Sequence, residues 1–589
     1  MIAVRYHEAT KHHFNRFARS LGYLDWATQP NPFRRYEGAP VRPLPRSPAS
    51  AALAAVPYRS LYEQAAAPHP IDEHAIGEFL RCSMGLSAWK QYGQSRWALR
   101  VNPSSGNLHP TEAWIVHDGR VCHYAPKEHA LEERCVVDSR TSKVRAAHDT
   151  SGPERRGPFG SADHFFVALT SIIWREAWKY GERAFRYCQH DVGHAIGALR
   201  LAAALLGWRL HLLPDWSDAQ IAGLLGLDRD QDYEDAEREE PECIAVVSSP
   251  GVGIRPSRAS GRPEPVEGRD LGFDPETVVA AVRAGSWSGQ ANRLSADHVA
   301  WPIIDEVTAA TRYPGQTSKS RTFESRIPNP ESRPGDVTAR TTIVQRRSAL
   351  SFDPRGVLRR ETVLGMLERL NPPSPPWDAI HWPAHVHLVL FIHRVEDLTP
   401  GIYAYLRDPA VLTEWKAAMR PDFMWEPVNT PTGEPTNLFL LVPIDARRIA
   451  NRVSCDQDIA EDGFLSLAMI ARFERSIREQ GEWFYRHLFW ECGLIGQVLY
   501  LEAEAAGARA TGIGCYYDEP VHELLGLSGY VWQDLYHFSM GLPIEDTRLT
   551  SEPGYDWEER DPGVGIRPSR ASGRPEPVEG RDSGFGDVS

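Results

Sequence analysis

Four short stretches concentrate residue types that can do chemistry. In "WREAWKYGERAFRY" (174–187) Lys179 stands beside Tyr180. An ammonium next to a phenol lowers the cost of forming phenolate, and burial lowers a lysine pKa, so the pair can relay protons; a surface lysine beside a half-buried tyrosine gives the same letters. In "QRRSALSFD" (345–353) Arg346, Arg347 and Ser348 place two guanidiniums and a hydroxyl in three residues. That set suits a bidentate grip on phosphate, the alternative being a solvated basic start to a domain. "RVNPSSGNLHP" (100–110) sets Ser104, Ser105 and Asn107 in a loop that Pro103 and Gly106 hold open. Its hydroxyls and amide can face a polar heteroaromatic ring or cap their own backbone. In "ARATGIGCYYDEP" (508–520) Gly512 and Gly514 let backbone N–H groups approach a ligand closely, or make a plain turn.

The elements that must position these residues are written twice. "GERAFRYCQHDVGHAIGALRLAAALLG" (181–207) aligns without a gap to "GEWFYRHLFWECGLIGQVLYLEAEAAG" (481–507) at an offset of 300. The offset matches Gly181 to Gly481, Arg186 to Arg486, Gly193 to Gly493 and Gly207 to Gly507, and "LLGL" at 224–227 falls on "LLGL" at 524–527. Apolar residues at helical spacing predict a helix in both copies, each closing on a glycine. Strands are expected near "AWIVH", "FFVALTS", "CIAVVSS", "HLVLFIH" and "YHFSMG", with further helices at "RRETVLGMLERL" and "SLAMIARFERSIREQ". The pattern is α+β, a diverged tandem duplication that can form one pseudo-symmetric body. Lys179 and Tyr180 fall on Glu479 and Gln480 at the same offset, so one copy alone carries that pair.

A second repeat has another origin. "PGVGIRPSRASGRPEPVEGRD" occurs letter for letter at 250–270 and 562–582, an identity that diverged domains do not keep. Poor in apolar side chains, it cannot bury enough surface to offset its ordering entropy. The chain therefore divides into a first domain with an N-terminal leader (1–249), an inserted disordered repeat (250–272), a helical connection (273–312), a flexible linker (313–340), a second domain (341–550) and a disordered tail (551–589).

Composition narrows the class. With 42% hydrophobic and 24% charged residues over 589 positions, the chain reads as a globular protein of more than one domain. A net charge of −13 gives no general attraction for nucleic acid or an anionic membrane. No apolar run is long enough to span a bilayer, and the start "MIAVRYHEATKHHF" lacks a secretory pattern, so a cytoplasmic location is expected. The eight cysteines include no CxxC pair, which suggests reduced packing thiols and no metal site.

Taken together, "RVNPSSGNLHPTEAWIV", "WKYGERAFRY", "RRSALSFD" and "GLIGQVLYLEAEAAGARATGIGCYYDEPVHELLGL" resemble the nitroreductase-like flavoproteins, specifically the SagB/ThcOx-type dehydrogenase branch. The leader at 6–40 resembles that of its tandem members, and the likeness covers roughly 1–250 and 341–550. The resemblance implies two tandem nitroreductase-like domains forming a pseudo-dimer, mixed sheets flanked by helices, with FMN at their interface. It puts Pro103, Ser104, Ser105 and Asn107 near the flavin ring and Arg346, Arg347 and Ser348 on the phosphate. Gly512, Ile513 and Gly514 would meet the ring through backbone, with Arg548 as a late arginine near the phosphate. Lys179 and Tyr180 match the proton-removing pair of the azoline dehydrogenases, in which FMN accepts hydride. A reciprocal site would rely on "NPPSPPWDAIHWP" and on Arg34 and Arg35, and should be weaker, so one FMN per chain is expected. The substrate, a small heterocycle or modified peptide, and the use of NAD(P)H as reductant stay open; the alternative is a non-catalytic flavin-binding or scaffold subunit.

Overall fold

A computed structural model describes residues 1–47, 49–63, 66–137, 163–250, 252–255, 269–272, 274–315 and 337–560. Two large sheets dominate it. The first runs, neighbour to neighbour, Ser286–Trp287, Ala130–Val136, Arg120–Ala125, Thr111–His117, His164–Ser171, Glu240–Ser248 and Arg209–Leu212. The second runs Glu426–Asn429, Pro435–Pro443, Gly401–Tyr405, Val386–Ile392, Leu465–Arg472, Trp532–Gly541 and Arg509–Ile513. Leaving out the first strand of each, both sheets share one topology: the third strand in chain order, then the second, first, fourth, sixth and fifth. Pairings within both are antiparallel. A parallel bridge from Ser348 to Ala510 extends the edge of the second.

Strand residues alternate between two cores, as a period of two requires. Leu388 and Leu390 face the central core while Val389 and Phe391 face an outer one; Ile115 and Trp114 divide likewise in the first sheet. The stretch expected as one helix, "SLAMIARFERSIREQ", is instead the strand Leu465–Arg472 followed by the helix Phe473–Gln480. An eight-residue apolar run does not distinguish strand from helix; here neighbours on both sides, Val386–Ile392 and Trp532–Gly541, take its hydrogen bonds.

Between the sheets lie the duplicated helices, Ala184–Leu205 and Phe484–Ala505, of 22 residues each and still 300 apart. They cross where a Cβ on Gly193 would stand 2.2 Å from the Trp490 carbonyl oxygen and one on Gly493 would stand 2.2 Å from that of His190. Only glycine on both sides permits that approach. Reciprocal ion pairs flank the crossing: Arg186 to Asp518 at 2.8 Å, and Arg486 to Asp218 at 2.8 Å. Each joins a helix of one half to the other half, as a two-fold contact does.

Segments near both ends of the described residues reach across. The helix Ile2–Ala9 donates the Ala3 N–H to Glu482 at 2.6 Å, and His7 meets Gln533 at 3.1 Å. Thr550–Pro553 pairs with Leu86–Tyr92 of the first half, whose hairpin closes through Ser95–Arg100. The start of the tail expected to be disordered from 551 is instead packed: Tyr555 is buried, and Glu558 accepts from Arg81 at 2.6 Å. Within 250–272, Val252–Arg255 and Arg269–Gly272 pair in parallel. The rest of that repeat, nearly all of its second copy and most of the linker lie outside the described residues. Among the described residues no helix is long and apolar enough to cross a membrane.

Candidate functional site

The loop 101–110 joins the hairpin strand Ser95–Arg100 to the sheet strand Thr111–His117 and runs through left-handed backbone at Gly106, Asn107 and His109, with φ of 60°, 57° and 51°. For a histidine this conformation is costly and persists only where surroundings over-determine it. They do so here. Arg175 donates to the His109 carbonyl at 2.7 Å, the His109 N–H donates to Ser104 Oγ at 2.8 Å, and the Ser105 N–H reaches Asp191 at 3.4 Å. Leu108 packs under the loop against Trp174 and Trp178.

This loop meets the arginine stretch of the other half across one cleft. Asn102, Pro103, Ser104, Asn107 and His109 line one side; Arg346, Arg347, Ser348 and Arg509 line the other, and Lys90 closes an end. Arg346 donates to the carbonyls of Val101 and Arg100 at 3.2 and 3.1 Å, and Arg347 to that of Ser87 at 2.6 Å, so both guanidiniums pin the two halves together. Burial lowers Arg346 from its usual range and brings Arg347 down to about 9, with the Arg346 charge adding to it. Burial also lowers Lys90. Four buried polar atoms of lining residues lack a partner among the described residues: Arg100 Nε, Asn102 Oδ1, His109 Nδ1 and Arg346 Nη1. Lys90, Arg100, Arg346, Arg347 and Arg509 line the cleft against two carboxylates, Asp546 and Glu545, the latter 2.5 Å from Arg509; the excess of positive charge and a buried unpaired donor fit an anion such as a phosphate.

The glycine stretch is stitched to the same place. Ser348 Oγ lies 2.9 Å from Tyr500 Oη, which accepts the Gly512 N–H at 2.8 Å, and the Ala349 N–H donates to Ala510 O at 3.1 Å. Gly512 thus spends its N–H on Tyr500, and Ile513 is buried in the outer core; neither lines the cleft. Gly514 abuts Tyr187, whose ring a Cβ there would meet at 2.2 Å. Arg548 also stays outside. Its Nε and Nη2 hold Asp546 at 2.9 and 2.8 Å, and its side chain is 72% exposed. The cations present instead are Arg509, the first residue of the strand that carries Gly512, and Lys90, which no spacing in the sequence singles out.

Lys179 and Tyr180 end the helix Ile173–Tyr180 and converge on the loop from behind. A Cβ on Gly106 would lie 2.8 Å from Tyr180 Oη and 3.2 Å from Lys179 Nζ. The Tyr180 ring lies tilted against Tyr187, centroids 4.5 Å apart, and Tyr187 in turn faces Gly514. Burial lowers Lys179, with Glu176 pulling the other way, and raises Tyr180 well above its ordinary value. Glu176 and Asp191, which the sequence reading passed over, are buried beside them. Burial and then Asp191 push Glu176 up; burial pushes Asp191 up to about 8 against hydrogen bonds from Ser104 and the Ser105 N–H. The acid pair therefore retains a proton at neutral pH. Glu176 sits one helical turn before Lys179, a spacing that could have drawn notice.

The reciprocal positions are neutralised. Arg34 is fully buried, with Nε 3.3 Å from Glu239 and Nη1 and Nη2 on the Asn292 and Glu237 carbonyls. Arg35 pairs with Glu132 and with Glu128 at 2.8 Å.

Comparison with known proteins agrees with the fold. The chain aligns with the crystal structure of a provisionally named nitroreductase from Anabaena variabilis over 92% of its own length and 99% of the other, at a TM-score of 0.57 and 18% identity. A shorter provisionally named nitroreductase from Ralstonia eutropha matches 37% of the chain and 89% of its own at 18% identity and a TM-score of 0.26. In sequence, 64 residues, 11% of the chain, are 31% identical to a provisionally named nitroreductase of Methanocaldococcus jannaschii, and the match spans 32% of that relative. The model of the Nitroreductase family matches residues 66–236, a span that contains both the loop 101–110 and the Lys179–Tyr180 pair.

Proposed function

We propose that the chain is an FMN-dependent oxidoreductase of the SagB/ThcOx type, built as two tandem nitroreductase-like domains that complete one composite site. The observation that carries this reading is that the 102–109 loop of one half and Arg346, Arg347 and Ser348 of the other line a single cleft. Arg346, Arg347 and Ser348, joined by Arg509 and Lys90, would hold the phosphate, while Pro103, Ser104 and Asn107 would border the ring. FMN bound there would supply two-electron hydride chemistry, and the protein supplies position, polarity and proton handling. Lys179 Nζ and Tyr180 Oη, held together behind Gly106, would take or give the accompanying proton, with the Glu176–Asp191 pair as the adjoining buried acid. The substrate class is a small heterocycle or a peptide-derived ring, and NAD(P)H is the candidate reductant where the reaction runs toward reduction. Purified protein tests the reading directly. A yellow flavin spectrum that bleaches with NAD(P)H or dithionite is expected; colourless protein that takes up no FMN would sink it in favour of a scaffold role.

A further inference from the structure

Six of the eight cysteines, 82, 122, 135, 188, 243 and 492, are buried. Burial raises the thiol pKa of each above its ordinary value. Cys455 and Cys515 differ in exposure, although contact with Cys515 and then burial raise the Cys455 thiol as well. Both are partly exposed, and their sulfurs lie 2.8 Å apart although 60 residues separate them. The loops that carry them are tied together: Gln457 Nε2 donates to the Cys515 carbonyl at 2.9 Å, and the Tyr517 N–H donates to Val453 O at 2.8 Å. Cys455 and Asp456 both adopt left-handed backbone, with φ of 57°, a local strain of the kind found at functional loops. Contact with Cys455, ahead of the nearby Arg183 guanidinium, holds the Cys515 thiol below its ordinary value against the effect of burial. His12 Nδ1 completes the group, 3.9 Å from Cys515 Sγ.

Such a trio can be a metal site or a redox pair, and the sulfur separation decides. Two thiolates on one tetrahedral zinc, with Zn–S bonds of about 2.3 Å, stand about 3.8 Å apart. At 2.8 Å the two sulfurs stand well inside the separation a shared tetrahedral ion sets, which favours the redox pair. The geometry matches that of a sensor thiol: partial exposure and a resolving partner at hand.

We infer that Cys515 and Cys455 form a reversible redox pair, in which a hydroperoxide oxidises Cys515 and Cys455 closes the disulfide. The Cys515 thiolate attacks the terminal peroxide oxygen; the O–O bond breaks, an alcohol or water leaves, and a sulfenic acid remains. The Cys455 sulfur then attacks the sulfenic sulfur. The S–S bond forms as the S–O bond breaks, and the departing hydroxide takes the Cys455 proton as water. Two thiols lose two electrons to one hydroperoxide, and a dithiol reverses the change. The disulfide would pin the residue next to Gly514, which abuts Tyr187. The inference stands apart from the flavin reading and can succeed or fail without it.

The test treats the full-length native protein with equimolar hydrogen peroxide, then alkylates it denatured and reads masses. Expected are loss of two of the eight free thiols, a mass lower by two hydrogens, one cross-linked peptide joining 455 to 515, and full reversal by dithiothreitol. In Cys455→Ser, a sulfenic-acid trap such as dimedone should label Cys515 ahead of the six buried thiols. Oxidation falling first on other cysteines, or between chains, would overturn the proposal. So would stoichiometric zinc in the isolated protein that Cys515→Ser abolishes, since the trio would then be a metal site.

Discussion

Gly106→Ala adds one methyl group where the loop, Lys179 and Tyr180 meet. At φ of 60° an alanine pays the left-handed penalty, about 1–2 kcal/mol. The new Cβ would sit 2.8 Å from Tyr180 Oη and 3.2 Å from Lys179 Nζ, where ordinary contact begins at 3.4 Å. Both atoms are far ends of side chains, so the protein can yield without unfolding, but Tyr180 Oη must retreat by about 0.6 Å from the loop, a distance set by ordinary van der Waals contact. A misplacement of about 1 Å at reacting groups costs on the order of 100-fold in rate. Turnover should therefore fall roughly 10- to 100-fold, while the unfolding midpoint drops by about 2–8 °C. Flavin content should hold, because the arginines lie across the cleft. Steady-state turnover, flavin absorbance and a melting curve on one preparation measure all three. Unchanged turnover at unchanged flavin content would refute the placement of proton handling behind Gly106. Lys179→Ala, which removes the ammonium and leaves the loop alone, is the companion: it should also keep flavin and slow turnover, and flavin loss would reassign Lys179 to binding.

Arg347→Ala should weaken FMN binding by roughly 10- to 150-fold, the equivalent of one charged contact of about 1.5–3 kcal/mol; equilibrium titration giving an unaltered Kd would remove Arg347 from the clamp, and Arg347→Lys separates charge from its bond to Ser87 O. Asp191 has a folded pKa of about 8 against an ordinary 3.8, so the folded state keeps a proton that the unfolded chain has lost between those values, and stability falls as pH rises through that window. Asp191→Asn should thus raise the melting midpoint more at pH 8 than at pH 5, and parallel shifts at both would contradict the buried protonated acid. Gly193→Leu should prevent folding or lower the midpoint steeply, because its Cβ meets the Trp490 backbone and not a mobile side chain; Gly365, also helical but with open space around its Cβ, should accept alanine and gain up to about 1 kcal/mol. A stable Gly193→Leu protein would mean the central helices do not cross there.

Much of this was legible because it is carried by local pattern. The offset of 300 survives as two helices of identical length and position, since glycines at the crossing and arginines beside it tolerate no substitution that packing would forgive. The loop and the arginine stretch could be paired only through a family likeness, and the structure does bring them to one cleft. What escaped is what depends on tertiary neighbours. Leu465–Arg472 reads as part of a helix until strands flank it. Arg548 looks available until Asp546, two residues before it, takes its guanidinium. Glu176 and Asp191 belong to separate helices and become a coupled pair only once both are buried beneath the loop. Thr550–Pro553 looks like the start of a tail because its partner strand lies some 460 residues earlier in the chain, a pairing whose long separation no local propensity encodes.

The duplication keeps its interface symmetric and its sites unequal, and that contrast yields a stoichiometry. Arg186 with Asp518 and Arg486 with Asp218 are the same contact made twice, because each half needs the other to bury its central helix. No such need protects a second cofactor clamp. At the first position Arg346 keeps an unpaired buried Nη1 and Arg347 donates only to carbonyls; Glu545, which also lines the cleft, pairs with Arg509 and leaves Arg346 and Arg347 unmatched by carboxylate among the described residues. At the second, Glu239 answers Arg34, and Glu132 and Glu128 answer Arg35. A buried guanidinium already matched by carboxylate has no net attraction left for phosphate, and releasing it would strand a buried carboxylate at a cost of about 3–5 kcal/mol. Flavin released from denatured, fully loaded protein should therefore amount to one FMN per chain. Two per chain would mean that the paired arginines do bind phosphate, and the argument from neutralised charge would fail.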